Sequence, residues 1–434
     1  MAAVNNSART APAIAIFPWG EVIEEFLDPL NLSLSDFVTK MTGGWLFGYV
    51  LALQSQGWRP IIVCASEAVG QLTQLEHKGT GAPVWVAPGR RSGRGASSQA
   101  PSLRCIEQWL RSPGRDFAAA LAKEQCAALI VQEYEYFRFD LLSLLARRTR
   151  RPIYATFQGG DVTLSAIEHL VRPWSLRRCN GLIVASARER ARLAEEYPRL
   201  TVPVANIPNP LDTDEWRPED RVRARAQLGL SAQAFIVVNH GRTDIARKGL
   251  DILLQAWKRF CPRHPEAQAF IIGSGQDHAA FAQLLVDQAP PRLTWIDTYV
   301  TDRPQMRRWL SAADIYLITS RSEGMPVAPL EAMACGLPVV SSDAHGLPDI
   351  FAAGEEHGGI LTSREDPDGI ANALERLAGN PGLRSCLGIS ARKRVEEHFS
   401  VPAVGAALVA FIRENGRASR TLGQSSLGHD QESD

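Results

Sequence analysis

No run of roughly eighteen apolar residues occurs in this chain, so no segment has the length of a membrane-spanning helix. Met1 to Pro12 lack the basic start and apolar stretch of a secretion signal. The expected place of work is therefore the cytoplasm, with peripheral contact at the inner face of a membrane left open. Cysteine is sparse and scattered: seven residues, at 64, 105, 126, 179, 261, 335 and 386, an odd number with no C-x-x-C pair. Such spacing fits reduced thiols better than a disulfide framework or a zinc site. Net charge is missing as well, because 47 Lys and Arg face 47 Asp and Glu. There is then no general attraction to nucleic acid or to an anionic surface, and any anion site must be local. No complete G-x-G-x-x-G follows any strand-like run, which argues against a dinucleotide oxidoreductase.

What is present is an ordinary globular composition, 45% hydrophobic and 22% charged, over 434 residues. That length suits two domains of about 200 residues. Short, continuously apolar runs at Ala13–Phe17, Pro60–Ser66, Pro83–Pro88, Ala127–Tyr134, Pro152–Phe157 and Gly181–Ser186 read as strands covered on both faces. Helical patterns such as Trp45–Gln56, Phe139–Arg148 and Ala187–Glu196 separate several of them. The series then restarts with Phe235–His240, Ala269–Gly273, Leu293–Thr298, Ile315–Thr319 and Pro338–Ser342, divided by helices at Gly249–Phe260, His278–Gln288, Pro304–Ser311 and Val327–Ala334. Strand–helix alternation of this kind predicts two Rossmann-like, doubly wound α/β domains in tandem. The join is expected near Asn206-Ile-Pro-Asn-Pro210, where two prolines stop regular structure. The Gly/Ser/Arg segment 89–98 reads as a solvated loop, and 416–434 as a disordered tail.

The strongest pattern is Ser322-Glu-Gly-Met-Pro-Val-Ala-Pro-Leu-Glu-Ala-Met-Ala-Cys-Gly-Leu-Pro338. It follows a strand, and Pro326 is a natural first helical residue. Open-sheet folds bind ligands at the carboxyl ends of their strands, and Gly324 lets a backbone approach closely. Glu331 falls in a helix apolar on nearly every side, where a carboxylate needs a partner. A ribose diol is one such partner, and a neighbouring element that it caps is another. Upstream, Gly241-Arg242 and Lys248-Gly249 follow the strand Phe235–His240 and set two cations beside a glycine turn. Ile272-Gly-Ser-Gly275 ends the next strand, and Asp212-Thr-Asp214 near the join reads as a turn rather than a metal site.

Glu323 and Glu331 form an E-x7-E pair, and the segment resembles the signature of the retaining GT-B glycosyltransferases of family 4. The Gly241-Arg242 and Lys248-Gly249 element resembles that family's G-R-x…x-K-G. The resemblance implies two Rossmann-like domains facing a cleft: 1–206 on the acceptor side and 207–398 on the donor side. It also implies a helix at 399–415 crossing back to the first domain. Arg242 and Lys248 would neutralise the departing donor diphosphate. Glu323 would contact the donor sugar, and Glu331 the nucleotide ribose, with Gly324, Met325 and Val327 beside them. Gly43 and Gly44, before the helix at Trp45, resemble the family's donor-side glycine loop. Thr156-Phe-Gln-Gly-Gly-Asp161 stands where many members carry a histidine. Here the residue is Gln158, which cannot shuttle a proton. Asp161 reads equally as an acceptor contact or a helix cap.

The expected activity is transfer of a hexose from a UDP- or GDP-linked sugar to a glycan, a lipid-linked or a small-molecule acceptor. The configuration would be retained, with no metal, no cofactor and no nucleic acid partner. A nucleotide-sugar epimerase of the same fold and a non-catalytic nucleotide-sugar-binding subunit are the rival readings. The E-x7-E pair speaks against the first, and Gln158 is the support for the second.

Overall fold

The computed structural model describes residues 11–28, 32–41, 44–91, 101–157, 164–298, 300 and 302–425. The chain divides into two compact units, one comprising 1–210 with 401–434 and the other Leu211–Ser400.

The first unit is built on an eight-stranded sheet of order β3-β4-β2-β1-β5-β6-β7-β8. Its strands are β1 (Ala13–Phe17), β2 (Arg59–Ser66), β3 (Thr73–Glu76), β4 (Pro83–Pro88), β5 (Ala128–Gln132), β6 (Ile153–Thr156), β7 (Gly181–Val184) and β8 (Val204–Asn206). All pair in parallel except β3, an antiparallel edge strand on β4. Burial on both faces explains the uninterrupted apolar runs. In β1, Ile14 and Ile16 join one core cluster while Ala13, Ala15 and Phe17 join another, so successive side chains feed opposite layers. Thr73–Glu76 is polar and only half covered, and neither it nor the short Val204–Asn206 carries that signal.

The chain returns to this unit at its end. The helix Val401–Ser425 runs past 415, into the segment expected to be disordered. It places Val404, Leu408, Phe411 and Ile412 in the same core cluster as Leu46, Val50 and Leu53 of the helix Gly44–Ser55. The two backbones come close at Gly405, where a Cβ would lie 2.3 Å from the Ala52 carbonyl oxygen. The Tyr154 hydroxyl donates to the Ile412 carbonyl at 2.8 Å.

The second unit holds a fully parallel six-stranded sheet of order β11-β10-β9-β12-β13-β14. Its strands are β9 (Phe235–His240), β10 (Ala267–Ile272), β11 (Leu293–Ile296), β12 (Ile315–Ile318), β13 (Val339–Ser342) and β14 (Gly359–Thr362). Winding proceeds outward from β9 through β10 and β11, then resumes on its other side with β12. The loops after β9 and β12 therefore diverge to opposite faces, leaving a crevice at the carboxyl ends of these two strands.

Candidate functional site

Two glycine-dependent loops line that crevice. β9 ends in Asn239-His240, and the Asn239 amide donates to the Leu317 carbonyl on β12 at 2.9 Å, tying the two strand ends together. Gly241 follows with φ 145°, and the short helix Ile245–Lys248 is closed by Gly249 at φ 59°. A Cβ on Gly249 would lie 2.1 Å from the Thr319 carbonyl oxygen, so this turn requires glycine for space as well as for its dihedral angle. Thr319 locks the arrangement by donating its hydroxyl to the carbonyls of Lys248 and Gly249, at 3.1 and 2.9 Å.

The turn delivers Lys248 to Glu323. Its Nζ donates to Glu323 Oε1 at 2.6 Å, and the Ser320 hydroxyl donates to the same oxygen at 2.6 Å. Glu323 is only 8% exposed, so its charge depends on these two donors. Lysine carries three N–H bonds, and this contact occupies one. Arg242, next to Gly241, is exposed and has no hydrogen-bond or ion-pair partner among the described residues.

Glu331 is held by a residue that the sequence reading passed over. The helix Ala328–Ala334 starts two residues after Pro326, with Val327 as its N-cap and Pro329 in the first turn, where a missing N–H costs nothing. Glu331 is consequently a first-turn residue. Its Oε2 lies 2.7 Å from Nε2 of His240. The His240 ring stands edge-on to Tyr316, with centroids 5.3 Å apart, and its Nδ1 is buried without a partner. The available signal was position: a titratable side chain ending a parallel strand, directly before a glycine turn.

Gly324, Met325 and Val327 occupy the loop between the two glutamates. Gly346, at φ 82°, supports it so closely that a Cβ there would lie 1.7 Å from the Gly324 carbonyl oxygen. Met325 and Val327 pack half-buried on the adjoining core. Glu323, Lys248, Glu331, Gly324, Met325 and Val327 thus gather around one crevice with His240 and Ser320. Gly44 opens a helix of the other unit, whereas Gly43, Gln158 and Asp161 lie outside the described residues. Asp212 accepts from the backbone N–H groups of Asp214 and Glu215 at 3.0 and 3.1 Å, which makes Asp212-Thr-Asp214 a turn. Among the described residues no three His, Cys, Asp or Glu side chains are grouped to hold a metal ion.

Residues 234–380, which contain this crevice, match the family Glycosyl transferases group 1. The structure is similar over 93% of the chain to all but 1% of Anabaena HepE, solved with UDP-glucose, at a TM-score of 0.68 and 16% identity. A lipopolysaccharide core biosynthesis mannosyltransferase, LpsB of Rhizobium meliloti, is 24% identical over 340 residues, 76% of this chain and 90% of the relative. A GDP-mannose-dependent mannosyltransferase of Corynebacterium glutamicum, acting on a monoacylated phosphatidylinositol monomannoside, is 27% identical over 227 residues. The chain has the GT-B fold and resembles the glycosyltransferases of family 4. That match covers 49% of this chain and only 56% of the Corynebacterium relative.

The electrostatics of this crevice are set by burial. Burial raises the Tyr316 hydroxyl far above the ordinary tyrosine range, against a smaller opposing effect of its backbone hydrogen bond and aided by the charges of Glu331 and Glu323. It stays protonated and donates to the His240 carbonyl at 3.2 Å. Arg303 is lowered from the usual arginine value by burial, which outweighs the attraction of Glu331 and Asp212. No helix among the described residues is long and apolar enough to cross a membrane.

Proposed function

We propose that this chain is a glycosyltransferase that moves a hexose from a UDP- or GDP-linked donor to a glycan or lipid-linked acceptor, retaining the anomeric configuration. The observation that carries this reading is the pairing of Lys248 with Glu323 and of His240 with Glu331 at the β9–β12 crevice. Glu323 accepts from Lys248 and Ser320 on one oxygen and Glu331 meets His240 on one, so each carboxylate has acceptor capacity left for hydroxyl groups. Glu323 would orient the donor sugar. Glu331 would accept from the ribose diol. Arg242 and the free N–H bonds of Lys248 would take up the negative charge that develops on the diphosphate as the glycosidic bond breaks. The departing phosphate oxygen would receive the acceptor's proton, so Gln158 need not act as a base. The specificities of the relatives, GDP-mannose with an acylated phosphoinositide glycoside in one and a lipopolysaccharide core in the other, favour an acceptor presented at a membrane surface.

The test is a panel of UDP- and GDP-sugars with free nucleotide release and product anomer read together by NMR. Transfer with retention is expected, and it should survive EDTA because Arg242 and Lys248 supply the positive charge. An inverted product, epimerised donor without transfer, or donor binding without turnover would sink the proposal.

A further inference from the structure

At the opposite edge of the second sheet, a cavity of about 390 Å³ is lined by Arg221, Arg225, Arg384, Gln233, Asp314 and Glu266, together with Phe235. Phe235 begins β9 and His240 ends it, so the cavity lies roughly 17 Å along the strand from the donor crevice. A ligand here and a ligand there would not touch.

The charge in this cavity does not balance. Three guanidiniums face two carboxylates, and both carboxylates are already engaged. Asp314, buried before β12, accepts from Arg221 on Oδ1, and from Arg225 and the Ile236 N–H on Oδ2, each of the latter at 2.8 Å. Arg384 is left 3.8 Å from Asp314, its Nη1 donating to the carbonyls of Leu377 and Ala378 and its plane 5.3 Å above the Phe235 ring. Glu266 is turned to His264, 3.2 Å away, and is about half exposed. Burial, followed by repulsion from Arg221, lowers Arg225. Arg384 is lowered chiefly by burial, with Asp314 opposing and Arg221 adding to the effect. Removing charged groups from water is unfavourable unless they are matched, and here three guanidiniums share the single carboxylate of Asp314. A planar guanidinium fork fits the oxygens of a phosphate, and the volume is that of a small-ligand site.

We propose that this arginine-lined cavity binds a phosphate group, free or carried by a small phosphorylated metabolite, as a second anion site separate from the donor crevice. Arg221 and Arg384 would close on the phosphate oxygens while Arg225 stays committed to Asp314.

Calorimetric titration of inorganic phosphate, and in parallel of a hexose monophosphate, into the full-length protein tests this, at ionic strength matched with chloride. Both should bind saturably, and saturating UDP should leave the binding unchanged. Tighter binding of the hexose monophosphate would identify a metabolite as the source, whereas equal binding would identify the ion. Arg221→Gln and Arg384→Gln should each weaken binding at least ~10-fold, as expected for loss of a charge-assisted hydrogen bond, with UDP affinity intact. The Arg384 side chain also ties two carbonyls, so if that variant fails to fold, Arg221→Gln decides; its side chain is 46% exposed. Heats no larger than with chloride, displacement by UDP, or wild-type phosphate affinity in Arg221→Gln would overturn the proposal.

Discussion

At the scale of single residues, the two glutamates differ in what holds them, and that difference makes their variants separable. Glu323 is buried against Lys248 and Ser320, so Lys248→Ala should do two things. It should destabilise the protein by about 1–3 kcal/mol by leaving a carboxylate short of partners, and it should slow transfer at least ~10-fold. The double variant Lys248→Ala/Glu323→Gln should recover most of the stability and none of the rate, which urea unfolding and kcat/KM measured together will reveal. Glu331 leans on His240 instead. His240→Phe should therefore weaken binding of free UDP or GDP by about 3–10-fold, the worth of one hydrogen bond. Glu323→Ala should leave that affinity nearly unchanged while turnover falls. Equal losses of nucleotide affinity in calorimetry would refute the separation of roles. Of these residues, Glu323, Glu331, Arg242 and Lys248 stood out only through their resemblance to a family signature; by themselves the glutamates read equally as structural groups and the two cations as surface charges. His240 did not stand out, since its role exists only once β9 and β12 become neighbours.

At the scale of elements, the loops depend on backbone approaching backbone. Gly273 follows β10 directly at φ 153°, and a Cβ there would lie 1.7 Å from the Gly241 carbonyl oxygen. Gly273→Ala should cost about 2 kcal/mol or more through strain that only a shift of the Gly241-Arg242 turn can relieve. Nucleotide affinity should fall in step with the unfolding midpoint; a variant with wild-type values of both would show that the turn is soft. The core strands could be read from composition because burial on two faces demands continuous apolar runs. The edge strand Thr73–Glu76 alternates half-buried and exposed positions and has no such signature. The pattern at Val327–Ala334 marked a helix, but its start at Ala328 reflects the proline at 329 more than the one at 326.

At the scale of the molecule, the C-terminal helix belongs to the unit that was begun first. Gly405 allows it to lie against Ala52, so Gly405→Val should drive the helices apart and destabilise the first unit by about 1–3 kcal/mol, as overpacking does. Calorimetric unfolding should show the loss in one transition, with UDP affinity of the second unit preserved. The same connectivity carries a consequence for how the protein is made. The first unit lacks one wall of its core until the 190 residues of Leu211–Ser400 have left the ribosome. At translation speeds of about 5–20 residues per second, that is a wait of roughly 10–40 s. For that interval the apolar face made by Leu46, Val50 and Leu53 has no permanent cover, while the second unit can complete itself. The nascent chain would thus be exposed to chaperones through its first half rather than its second, and the last helix to be synthesised would be the one that ends the exposure.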